Sequence, residues 1–110
     1  VTAANEMAVI ARLVSIAKAE ALYAATEGSG SYATLEQLVE RHDLVDPSQG
    51  KFAQSYRIEV TVKPAGGFEV TAVPVNYPIT GRRSFYVDDS NVVRGADREG
   101  QLATVHDPPI

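Results

Sequence analysis

A chain of 110 residues can bury one hydrophobic core and is too short for two. Its 45% hydrophobic and 22% charged residues match a folded globular protein and exclude a wholly disordered one. The net charge of −4 argues against whole-surface attraction to nucleic acid or anionic lipid, and the lack of cysteine excludes disulfides, thiolate zinc sites and thiol catalysis.

The first predicted element is a long helix over residues 1–27. Its central stretch, AANEMAVIARLVSIAKAEALYAAT, holds good helix formers and neither Gly nor Pro. At ~1.5 Å per residue it makes a rod roughly 35 Å long, ended by Gly28-Ser29-Gly30-Ser31. Its apolar residues fall in two stripes rather than one. Met7, Ile10, Val14, Ala17, Ala21 and Ala24 form the first, and Val9, Leu13, Ile16 and Tyr23 the second. Glu6, Arg12, Lys18 and Glu20 lie among them without an opposite charge three or four positions away. No apolar run spans a bilayer. The first residue is Val1, which reads as a processed chain with its targeting segment ahead of it.

A connecting region follows over 28–53. Thr34-Leu35-Glu36-Gln37 has capping-box spacing and opens a short helix to about Arg41, with Leu35, Leu38 and Val39 as its buried side. Asp46-Pro47-Ser48-Gln49-Gly50 reads as a turn. The period then changes to two, and residues 54–94 predict an antiparallel meander of three to four strands. Tyr56, Ile58, Val60 and Val62 alternate with polar residues, Pro64-Ala65-Gly66-Gly67 turns the chain, and Phe68, Val70 and Ala72 alternate again. After VPVNYPITG come a third strand, Arg83 to Val87, an acidic turn, and a short fourth, Val92 to Arg94. Residues 95–110 carry no periodicity and read as an ordered or frayed tail. The predicted class is α+β, with the long helix covering the apolar face of the sheet. One stripe is used in that contact and the second is left over.

The chemistry-bearing residues form no motif. His42 and His106 lack companion ligands and read as surface histidines. Asp88, Asp89 and Asn91, with Asp97 and Glu99 nearby, could hold calcium but lack EF-hand spacing; a hairpin turn, with Asn91 accepting positive φ, is the preferred reading. Ser29, Ser31, Ser55, Ser84 and Ser90 have no nucleophile-elbow context, and no enzymatic activity is expected. Arg57, Arg82, Arg83, Arg94 and Arg98 cluster in the sheet half, either as a basic patch or as solvated charges at strand edges; no nucleic-acid partner is expected. Tyr32, Tyr56, Tyr77 and Tyr86 could line a groove or each bury a ring.

The order of elements, with AANEMAVIARLVSIAKAEALYAAT, SYATLEQLVE and GRRSFYVDDSNVVRGAD, resembles the globular part of bacterial type IV pilin-like proteins, including the pseudopilins of type II secretion. The resemblance implies a long helix on an antiparallel meander with a C-terminal loop. It also implies an apolar membrane segment and a processing site ahead of Val1, neither of which this sequence contains. It further implies a structural filament subunit whose partners are other copies, a prepilin peptidase and an inner-membrane assembly platform. The precursor would be anchored in the inner membrane and the product would be an extracellular or periplasmic filament. No resident cofactor is implied beyond the calcium held by some major pseudopilins. The leftover stripe, Val9, Leu13 and Ile16, with Glu6, Arg12, Lys18 and Glu20, is then the expected filament interface. The alternative is an extracytoplasmic binding or inhibitor module of cystatin-like helix-on-sheet architecture, although the inhibitory Gln-x-Val-x-Gly-like loop is missing.

Overall fold

The computed structural model describes residues 2–26, 31–40, 55–63 and 66–110. Six elements follow one another: α1 (Thr2–Ala25), α2 (Leu35–Glu40), β1 (Tyr56–Val62), β2 (Phe68–Pro74), β3 (Arg83–Asp88) and β4 (Arg94–Asp97). The strands form one antiparallel sheet in sequence order, β1-β2-β3-β4. The α+β class and the meander are as the sequence predicts.

Alternation sets the register. Val60 stands opposite Val70, Ala72 opposite Phe85, and Phe85 opposite Gly95, so one face of the sheet carries the apolar set. That face packs against α1 around Phe68, Val70, Ala72, Phe85 and Val87, all fully buried. Phe68 meets the edge of the Tyr32 ring at 4.8 Å, and Tyr56 packs on Phe85 at 5.8 Å. Burying each phenyl group contributes about 1.5–3 kcal/mol of transfer free energy. Gly95 belongs at its position because a Cβ there would lie 2.6 Å from the Phe85 ring.

The capping box of α2 forms as its spacing requires: Gln37 N–H donates to Thr34 Oγ1 at 3.2 Å, and Thr34 N–H donates to Gln37 Oε1 at 2.8 Å. Leu38 is fully buried. The predicted end at Arg41, the turn at 46–50, His42, the break at Gly28–Gly30 with Ser29, the Pro64-Ala65 half of the first hairpin and the Val39 side chain lie outside the described residues.

Two expectations are corrected and an open one is decided. The fourth strand is Arg94–Asp97 rather than Val92 to Arg94, so the sheet extends past residue 94. Arg82 and Arg83 do not guard a sheet edge, because β3 is an interior strand. Of the two alternatives for the tail, residues 98–110 take the ordered one. Gly95 N–H donates to Pro108 O and Ile110 N–H to Val93 O, with an isolated bridge between Arg94 and Pro109.

Residues 98–107 lie over the sheet face opposite α1. Ser84, one step out of phase with the core residue Phe85, donates its hydroxyl to Gln101 O at 2.6 Å, and Ala103 is buried there. Asp107 is 1% exposed and fastens this layer. Its carboxylate accepts from Arg98 Nε and Nη2 and from Thr104 N–H, while its carbonyl accepts from Arg94 Nη1. The result is three layers: rod, sheet and C-terminal loop.

Candidate assembly surface

The faces of α1 are inverted relative to expectation. Val9, Leu13 and Ile16 are 3%, 0% and 0% exposed and form the rod's contact with its own sheet. They cannot be a filament interface in the folded domain. That part of the expectation is overturned.

The charges assigned to neighbouring subunits behave likewise. Glu6 is buried against the start of β3. One oxygen accepts the backbone N–H groups of Arg82 and Arg83 at 3.0 and 3.1 Å, and the other accepts Arg83 Nε at 2.9 Å. Burial alone would favour the neutral acid. The two amides and the guanidinium outweigh it and hold the carboxyl below its ordinary value. Asn5 adds a bond from Nδ2 to Thr80 O at 3.0 Å. Gly81 completes this corner, since any Cβ there would sit 2.1 Å from the Tyr56 hydroxyl, which donates to Arg83 O at 2.6 Å. Two successive polar residues of the helix, Asn5 and Glu6, are thus sunk in the fold.

Glu20 is fully enclosed. Its Oε1 accepts Ala33 N–H at 2.7 Å and ties α1 to the segment leading into α2. Its Oε2 is buried without a hydrogen-bond partner. Burial pushes its pKa up, and the single amide offsets only part of that. Arg12 is partly buried and engaged, and Lys18 alone of the four is exposed.

With the polar residues turned in, the outward face of α1 is nearly bare of charge. Ala3, Ala4, Ala11, Ala21 and Ala25 are exposed, together with Met7 at 72%, Leu22 at 53% and Val14 at 36%. The exposed polar residues are Ser15, whose hydroxyl donates back to Ala11 O at 3.1 Å, and Lys18. A surface helix ordinarily places its charges here. Beside this face, between α1 and the β3–β4 turn, lies a groove of about 290 Å³ lined by Val14, Ala17, Ala21, Val87 and Val93, with Lys18 and Asn91 at its rim.

The other candidate groups are dispersed. Asp88 accepts from Ser90 N–H, Ser90 Oγ and Tyr86 Oη, and Asp97 accepts from Tyr77 Oη and Glu99 N–H. No three His, Asp or Glu residues gather as a metal site among the described residues. Asn91 takes the positive φ, 63°, that its turn requires. Of the five arginines, Arg83, Arg94 and Arg98 are bound internally, and Arg57 and Arg82 are exposed apart from them. The tyrosines line no common groove: Tyr56 and Tyr86 are buried, Tyr32 meets Phe68 edge-on, and Tyr77 reaches Asp97. His106 is exposed. No described helix is long and apolar enough to cross a membrane. No family model, curated protein or solved structure matches the chain.

Proposed function

We propose that this chain is a structural subunit of an extracytoplasmic filament of the type IV pilin or pseudopilin kind, and that it assembles through the outward face of α1. One observation carries the reading: eight of the ten exposed side chains described in α1 are apolar, while Glu6 and Glu20 of the same helix are buried. A contiguous apolar outer face on a helix that has sunk its acids marks a surface that a partner covers. In a filament, the helices of neighbouring copies do so. The long rod, the meander and the C-terminal loop are the order of parts such subunits use, which supports the same conclusion. The interface residues become Met7, Ala11 and Leu22, in place of Val9, Leu13 and Ile16.

The reading expects a bilayer-length apolar segment with a processing site ahead of Val1 in the precursor. In that precursor, Met7→Asp and Leu22→Asp should abolish filaments seen by electron microscopy. The soluble domain carrying the same changes should keep its circular dichroism spectrum and its Tm to within a few degrees, because exposed substitutions usually cost under ~0.5 kcal/mol. Filaments of normal number and length from both variants would sink the reading.

A further inference from the structure

The groove beside α1 and the C-terminal loop are complementary and lie on opposite layers of the molecule. The groove is apolar along Val14, Ala17, Val87 and Val93, and its one charge is the exposed Lys18. Lys18 makes no ion pair with any described residue. At about 290 Å³ it falls just below the roughly 300–1,000 Å³ of small-molecule pockets, which suits one or two aliphatic side chains. The loop offers them: Leu102 is 58% and Val105 45% exposed. Glu99 stands three residues before Leu102, exposed, and its carboxylate likewise makes no hydrogen bond or ion pair with any described residue. A cation beside an apolar slot thus faces away from an anion beside apolar knobs, with the sheet between them.

We propose that copies of this chain join head to tail, Leu102 of one copy entering the α1 groove of the next and its Glu99 meeting Lys18. The occupant is a second copy because the same chain carries both halves of the match. Two different patches on opposite layers make a heterologous contact. Such a contact does not make a twofold dimer; it repeats into a ring where the rotation closes and into an open string where it does not, and the filament reading takes the second. The proposal rests on the filament reading and gives it an axial contact, in addition to the lateral one along the outer face of α1. Opposite charges at the rim set register and speed encounter more than they add affinity.

The absence of cysteine makes the contact directly testable. Val14→Cys marks the groove and Leu102→Cys the loop, both at exposed positions. Mixed under mild oxidation, the two single-cysteine chains should cross-link to each other faster than either does to itself. A chain carrying both should give a ladder of oligomers. Lys18→Glu in the groove chain should slow cross-linking about tenfold, and Glu99→Lys in the loop chain should restore it. Groove-to-groove cross-linking as the fastest reaction, or no restoration by the charge swap, overturns the proposal. Circular dichroism of each variant checks that the fold is retained. The two readings fail separately. If the swap has no effect while Met7→Asp still abolishes filaments, the axial contact falls and the filament stands. If Met7→Asp filaments are normal while the swap restores cross-linking, the head-to-tail contact stands without the filament.

Discussion

Two glutamates of the same helix, Glu6 and Glu20, have opposite relations to the proton. Glu6 has three donors on its carboxylate and a depressed pKa, so it contributes stability above the ordinary glutamate value of 4.5. That contribution is lost as pH falls through the folded value. Glu20 has one donor, one bare oxygen and a raised pKa. The folded state then holds its proton more tightly than the unfolded chain, and stability falls as pH rises from 4.5 through the folded value. In urea titrations against pH, Glu6→Gln should cost about 1–3 kcal/mol at pH 7, and the difference from the parent should shrink in acid. Glu20→Gln should gain on the parent as pH rises above 4.5. Parallel stability curves for either variant and the parent would refute the assignment. Both roles escape a sequence reading, since the donors to Glu6 lie 76 and 77 residues away. No local pattern announces them.

At the scale of elements, local rules sufficed where the contacts are local. The alternation in β1 and β2, the Thr34–Gln37 box and the positive φ at Asn91 are all written in a few neighbouring residues. The rotation of α1 about its axis is not. Two apolar stripes of similar strength left the choice to Asn5, Glu6 and Glu20, whose backbone partners fix which side goes in. The edge of the sheet was missed for a related reason. Val92 and Val93 look like a strand, but β4 begins at Arg94, where Gly95 can lie against Phe85 and pair with Pro108. The corrected orientation has a quantitative consequence. Leu13→Ala or Ile16→Ala, at fully buried positions, should lower the unfolding free energy by about 2–5 kcal/mol. Val14→Ala, half a turn or so away, should change it far less. Equal midpoints for Leu13→Ala and Val14→Ala in denaturant would show that the rod is turned otherwise.

For the molecule as a whole, the three layers have different fastenings. The rod is held to the sheet by a continuous apolar core, while the C-terminal loop is braced within itself by the Asp107 carboxylate, Arg98 and Thr104 N–H and is tied to the sheet by hydrogen bonds from Ser84, Arg94 and Gly95. Arg98 and Thr104 N–H hold that carboxyl below its ordinary range. Asp107→Ala should therefore loosen the inside of the loop before the rest unfolds. Hydrogen exchange at residues 98–107 should accelerate by at least about tenfold, with the amides of α1 much less affected. Uniform acceleration across the chain would mean that loop and core open together. Such sub-global opening matters if the loop is the part that reaches the next copy, because a contact can be no firmer than the layer presenting it.

The Glu6 corner also decides how the domain carries load. The first turns of the rod hold two successive amides and a guanidinium at the entrance to an interior strand. A pull on the amino end of the rod therefore meets charge-assisted bonds before it meets any hydrocarbon, and passes from them into β3. Tension at that end would be resisted like a bolt in a bracket, with the greasy layer behind it spared until the bolt gives.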